Sequence, residues 1–489
     1  MKKLFYLLAL AAGMLFITSC DEDDDPTPVV PVESESIRIE AGTDITTLAD
    51  WDAATNTLTL KNENDYTING IVYITGGRTL MIEPGTVIKA EDLPGDATTA
   101  LVISQGAKIM AEGTMEDPII MTSSNDDLND PTDLAGTDNR LWGGLIVLGS
   151  AGISNSGSPT GNVEGIEPNP NTLFGGSNDA DNSGVIKYVS IRHTGAALAP
   201  GDEIQGLTLG GVGSGTEIDY VEVFGSYDDG IEIFGGSVNI KHIACSFVVD
   251  DCFDLDQGWN GTGQFLFAVK GDAAGDHMAE WDGAKPDSDP RYTSATIANA
   301  TFIGSGNSQT TNGDNGLGVL MRDGFGGKLF NSIIMGVNGP AIEVEDIAAA
   351  DDATNTDSYS KFQQGTLQVE GNVFWVNKSA FDASDDGIIN VTTDEGTIIA
   401  DDMTASELGT YLAANNSIGD PQISITSLMP GANGINPIPG NTGLVTSNMA
   451  SVSTPGIMSV NYKGAFDPSS SSHWLEGWTA LSQNGYLPN

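Results

Sequence analysis

Basic residues are in short supply in this chain. It carries 19 Lys and Arg against 67 Asp and Glu, a formal net charge of −48 over 489 residues. A surface built to hold phosphate needs clustered Lys and Arg, so nucleic acid is excluded as a partner. Cysteine is scarce too, with three in all. One of them, Cys20, falls in the leader described below. Cys245 and Cys252 lie seven residues apart without metal-ligand spacing, and read as two buried thiols or one disulfide. No nucleophile elbow, phosphate loop, zinc signature or dinucleotide fingerprint occurs. What is plentiful is Gly, at 61 residues. It separates short β-branched runs, as turns between many short strands require.

Met1 to Cys20 reads MKKLFYLLALAAGMLFITSC. Two lysines, an apolar run and small residues make a signal peptide rather than a membrane span. Asp21 to Asp25 and then Pro26, Pro28 and Pro31 follow. They predict an extended tether over 21–36. Residues 37–65, with Trp51 available to pack, read as an N-terminal cap, 66–380 as a stack of coils, and 381–489 as an irregular C-terminal region and cap. Within the last, a short helix is expected at Ser406 to Ala414. Trp474, Leu475, Trp478 and Leu481 fall at helical spacing and read as a capping turn over the exposed end of the stack.

The stack itself is read from repetition. TLMIEPGTVIKAED is followed by TALVISQGAKIMAEGTMEDPIIMTSS, two passes of short strands broken by Gly turns. Each pass is too short to bury its own inner face, so coils must stack to form a core, as in a parallel β-solenoid. Two insertions, Asn125 to Arg140 and Asp346 to Ser360, are expected to lie on one face, often the binding face.

The most informative stretch runs from Tyr227 to Asp282. YDDGIEIFGG returns as VDDCFDLDQGWNG, HMAEWDG and LMRDGFGG, and Asp228-Asp229 recur as Asp250-Asp251 after 22 residues. That interval is about one coil. It predicts one column of Glu232, Asp254 and Glu280 and a second of Asp256, Asp282 and Asp323. Neighbours in a column would sit about 4.8 Å apart. Stacked carboxylates repel unless a cation, a shared proton or a basic group lies between them. The inward or outward direction of these acids is open, because a slip of one residue reverses every side chain.

Three chemistries fit. Calcium takes six to eight oxygens, and Asp250, Asp251, Asp254, Asp256 and Asp282 are its candidate ligands. A glycan would need aromatic platforms beside hydrogen-bonding groups: Trp259 and Trp281, widened by Tyr227 and Phe325, with Glu232, Glu280 and Asp323 as acceptors. Trp142 reads as packed inside its coil, and His193 and His242 as structural. Cleavage of a glycan would use Asp228 and Asp229 as the carboxylate pair, or His277, Arg322 or Lys270 as a base near bound calcium. A solvated acidic surface on a purely structural adhesin would need none of these.

Several segments carry resemblances. Ile17-Thr18-Ser19-Cys20 resembles a bacterial lipobox, in which the cysteine is lipidated, and the acids after it resemble the surface-export signal of Bacteroidota lipoproteins. IEPGTVIKAED and GAKIMAEGTMEDPIIMTS are similar to the opening coils of right-handed parallel β-helix proteins on bacterial surfaces. WGGLIVLG, GLTLGGVGSGT and DDGIEIFGG resemble a family of β-helix lipoproteins of Bacteroidota, over roughly Leu80 to Phe374 and again at YKGAF and WLEGWTAL. That resemblance implies an all-β right-handed parallel β-helix, anchored by lipid to the outer membrane and facing outward, with an outer-membrane importer as a possible neighbour. It implies no assigned activity. Asp228-Asp229-Gly230 faintly resembles the Asp-Asp-Gly of polygalacturonase-like hydrolases, whose Gly-His-Gly and Arg-Ile-Lys motifs are missing here.

Overall fold

A computed structural model describes residues 34–488 apart from 96, 200–201, 272–274, 306–317, 338, 348–355, 376–388 and 393–404. The leader, Cys20 and the tether up to residue 33 lie outside the described residues, as does part of the second insertion.

Alternation along the short strands decides the architecture. Ile231 and Ile233, Phe253 and Leu255, Ala279 and Trp281, Val319 and Met321 are all buried in one apolar core. The residues between them point the other way. These pairs sit on a ten-stranded, all-parallel sheet whose spatial order follows the chain. Its strands, numbered along the sheet, are β1 (Ile71–Ile74), β2 (Ala100–Ile103), β3 (Leu145–Leu148), β4 (Leu207–Gly210) and β5 (Ile231–Phe234). They continue as β6 (Phe253–Asp256), β7 (Ala279–Asp282), β8 (Val319–Arg322), β9 (Ile342–Glu345) and β10 (Ile389–Thr392). Each pairs in parallel with the strand one coil on, which is the pattern of a right-handed parallel β-helix.

A nineteen-stranded sheet supplies the remaining walls of the coil. Its long strands, such as Glu217–Phe224 and Asn239–Ser246, turn a corner at residues with left-handed backbone: Tyr188 (φ 48°), Tyr220 (56°), His242 (50°) and Phe265 (57°). A non-glycine residue there costs about 1–2 kcal/mol. The four rings stack on one another with centroids 4.4, 4.3 and 4.8 Å apart, and ring pairs of this kind contribute about 0.5–1.5 kcal/mol each. The stack therefore offsets much of the strain, and it gives His242 its structural role.

Parallel pairing extends beyond the bounds expected from sequence. Ser36–Glu40 already pairs with Asp65–Asn69, and Ser417–Ile418 still pairs with Val373–Phe374. At the far end, the helix Ala405–Asn415 inserts Leu408 and Leu412 into the core.

The C-terminal aromatic segment does something other than cap that end. Residues 417–488 run back along the nineteen-stranded sheet as a strap. Ala450 bonds the side chain of Asn331 (2.8 and 3.0 Å), Met458 that of Gln264 (2.8 Å), and Ala465 that of Thr301 (2.9 Å). Leu475, Leu481, Tyr486 and Leu487 then cover Phe224, Phe247 and Phe267. The expectation of a capping turn at Trp474–Leu481 is corrected for this reason: outward phenylalanines on that sheet need a cover, and the strap supplies it.

Candidate functional site

The first predicted column is present. Glu232 is the register partner of Asp254, and Asp254 of Glu280, with Thr208 before them and Leu320 after. The acids alternate with core residues, so they point away from the apolar core. Glu232 is nonetheless buried, to 5% exposure, and Asp254 and Glu280 are half-buried.

The second column needs correction. Arg322, and not Asp323, is the partner of Asp282. Forty residues separate the two, against 22 between Glu232 and Asp254, and the longer coil conceals the register. Arg322 donates to both oxygens of Asp282 (2.8 and 3.3 Å) and forms an ion pair with Glu280. Asp282 is pushed up to about 6 by burial, with Arg322 pulling the other way. Asp256, on the same side, is pushed up by burial as well. Asp323 follows the strand, and its backbone N–H donates to Glu345 (2.8 Å).

The aromatic platform is overturned. Trp259 and Trp281 are wholly buried in the core, as is Phe325, whose ring lies 5.3 Å from that of Trp281. Trp259 donates its indole N–H to the carbonyl of Val238 (2.9 Å). The register explains the miss: Trp281 lies one residue from Glu280 and Asp282, hence on the opposite face of the strand. Tyr227 is half-buried, with the Arg140 guanidinium 3.1 Å above its ring. Cys245 and Cys252 are buried free thiols, both pushed up by burial, Cys252 to about 11.

What replaces the platform is a cavity of about 310 Å³ lined by Gln205 and ten carboxylates. Counting back from the start of each strand orders them. Two residues before β4, β5, β6 and β7 stand Gln205, Asp229, Asp251 and His277. Three before β5, β6 and β7 stand Asp228, Asp250 and Asp276. With Glu232, Asp254 and Glu280 these make three columns climbing the same coils. Glu164 and Glu203, from the long excursion between β3 and β4, complete the lining. Asp276, Glu164, Glu203 and Gln205 were not singled out from sequence. Asp276 was legible, since it sits three before β7 as Asp228 and Asp250 do before theirs; the two glutamates lie off the repeat and carry no such signal.

Crowding and burial set the charge state. Burial first, and the neighbouring carboxylates second, hold Asp229, Glu232 and Asp254 well above the usual range. Asp228 is pushed up to about 7 by burial and Asp250. Asp251 also reaches about 7 through burial, with His277 and Lys270 opposing, and Glu280 reaches about 8. Few hydrogen bonds relieve the crowding. Asp229 accepts from the Asp251 backbone N–H (3.0 Å), Gln205 lies 3.4 Å from Asp228, and Lys270 donates to the carbonyl oxygen of Asp250. Glu232 Oε2, Asp251 Oδ1 and Asp254 Oδ1 are buried without a hydrogen-bond partner. Three sets of side chains at this cavity are close enough to share one ion each: Asp228, Asp229 and Asp250; Asp229, Glu232 and Asp254; Asp251, Asp276 and His277. Of the four catalytic candidates, Asp228 and Asp229 share one set and His277 stands in another, whereas Arg322 is committed to two carboxylates.

No curated protein matches the chain. Among solved structures it is similar to the Dettilon tailspike protein, at 11% identity and a TM-score of 0.29, over 68% of this chain and 62% of that one. The chain thus spans less than two thirds of that relative's length. A family model described as a pectate-lyase-like beta helix domain matches residues 52–415, which takes in all ten strands of the ten-stranded sheet. The chain belongs to the pectate-lyase-like β-helix domain family.

Proposed function

We propose that this protein holds divalent cations, calcium first, in the acidic cavity and through them binds an anionic glycan outside the cell. The observation that carries the reading is the set of buried, unpartnered oxygens of Glu232 and Asp254 facing a cavity with ten carboxylates. Burying an uncompensated charge is strongly unfavourable, and calcium accepts six to eight oxygens at about 2.3–2.6 Å in flexible geometry. Asp228, Asp229, Glu232, Asp250 and Asp254 are the oxygen donors of the two all-carboxylate sets. Asp282 is taken up by its ion pair with Arg322, and Asp256 belongs to neither set.

The ligand follows from the charge. An acidic wall repels an anionic sugar, whereas a cation with open coordination positions joins the two. The cavity is at the lower end of the usual range of about 300–1,000 Å³, room for one sugar unit. Membership of a pectate-lyase-like family supports a glycan, and the leader with Cys20 supports a lipid-anchored location on the outer membrane, beside an importer. Glycan cleavage on the same face is a second reading. It draws on Asp228 and Asp251, both held near 7, where a carboxyl can give or take a proton.

Calorimetric titration of calcium into the chelator-stripped chain tests the first step. Binding should weaken at least about tenfold in Glu232→Gln and Asp254→Asn. Acidic oligosaccharides should then bind only with calcium present, and neutral ones in neither condition. Absence of calcium binding would remove the cation, and glycan binding indifferent to chelator would remove the bridge. New reducing ends or unsaturated sugars in the same mixtures would move cleavage to first place.

A further inference from the structure

The column that reads Gln205, Asp229, Asp251 ends in His277, so its chemistry changes at the last coil. Oxygen donors fill the Asp229 end; at the other, an imidazole faces Asp251 and Asp276. His277 Nδ1 lies 2.9 Å from Oδ1 of Asp276. Asp251 is exposed by only 5%, and its Oδ1 has no hydrogen-bond partner. On the other side of the ring, Nε2 lies 3.8 Å from Oε2 of Glu280, within reach of a bridging water.

We propose that Asp251, Asp276 and His277 form a second metal site, distinct from the calcium sets, that takes a divalent transition-metal ion such as zinc. The ligand atoms of the three lie within 4.8 Å of one another. Two carboxylate oxygens and one imidazole nitrogen make three protein ligands, which leaves a fourth tetrahedral position for water or a ligand atom. Imidazole selects such ions over calcium, which takes oxygen. Glu280 stands where a metal-bound histidine keeps its outer partner, fixing the ring so that Nδ1 faces the ion. The site does not depend on calcium binding and stands or falls separately.

The test uses zinc and cobalt(II) on the purified, chelator-stripped chain in excess calcium. Zinc should bind at one equivalent, and cobalt(II) should give visible bands that zinc, but not calcium, abolishes. Asp251→Asn and His277→Gln should remove this binding, Glu280→Gln should weaken it about 10–100-fold, and Glu232→Gln should leave it unchanged. The chain has four histidines, so ¹⁵N-histidine labelling provides a readout on the unaltered protein. One ring, assigned through His277→Gln, should shift at Nδ1 with zinc. If no ring shifts, if another histidine shifts, or if calcium displaces zinc, the second site is refuted and His277 is a counter-ion only.

Discussion

Glu232 stands directly opposite Asp254 on the next coil, and each keeps one carboxylate oxygen buried and without a hydrogen-bond partner. Two unit charges about 5 Å apart repel by about 3 kcal/mol at an effective dielectric near 20. That is a large fraction of a typical folding free energy. Repeated along three columns, such repulsion cannot stand at neutral pH. Either protons or cations compensate it, and the two alternatives differ in their dependence on pH.

Without cations, stability should fall as pH rises. Asp228, Asp251 and Glu280 have ordinary values of 3.8, 3.8 and 4.5 and are raised to about 7, 7 and 8 in the fold. Below about 4 both states are protonated, and the stabilisation is complete. Between there and about 8 the unfolded chain releases protons that the folded chain retains, so unfolding gains. In chelator, the melting temperature should peak at mildly acidic pH and decline through 8; calcium should flatten the decline. A melting temperature rising from pH 5 to 8 in chelator would contradict the assignment.

Glu232→Gln should stabilise the cation-free protein at pH 8, by about 1–3 kcal/mol, because it removes one buried charge and its repulsion from Asp254. The same change should cut the gain from calcium, which for the parent is about 2.7 kcal/mol at one hundred times the dissociation constant. Chemical unfolding with and without calcium measures both. Equal calcium gains in parent and variant would place the ion elsewhere.

The fold was legible because periodicity carried it. Alternating Val, Ile and Leu between Gly turns define a coil, and the 22-residue return of Asp-Asp fixed the register of Glu232 on Asp254. Two things were not legible. Coil length varies, so Arg322, 40 residues after Asp282, was displaced by Asp323 in the second column. The face of each residue follows from its distance to the strand start, and Trp281 and Glu280, adjacent in sequence, lie on opposite faces. Composition also misdirected the strap: Trp474 and Trp478 suggest a capping helix, while their actual partners are rings on distant coils, Tyr220 and Tyr188.

Trp281→Ala should therefore act on stability and not on recognition. Removing a wholly buried indole that packs on Phe325 costs about 3–5 kcal/mol. Urea unfolding should show that loss, while glycan affinity of the folded fraction stays within twofold of the parent. A hundredfold loss of affinity at unchanged stability would restore the platform.

Glu222 should control the strap. It is fully buried on the nineteen-stranded sheet and accepts from Ser190 Oγ (2.6 Å) and from the backbone N–H groups of Ala480 (2.6 Å) and Leu481 (3.2 Å). Those amides open the short helix Ala480–Gln483, so this one carboxylate anchors the end of the chain to the coil. Arg192, bonded to Ser190 (2.8 Å) and Gln483 (2.6 Å), closes the cluster. Glu222→Ala leaves Arg192 buried without its carboxylate and two amides without an acceptor, a loss of about 3–5 kcal/mol. Because the anchored segment crosses the coil from outside, the loss should be local. Limited proteolysis should cut the variant between Met458 and Trp474 while the coil persists and calcium affinity is unchanged. Global unfolding together with loss of calcium binding would mean that the strap and the acidic face are a single cooperative unit.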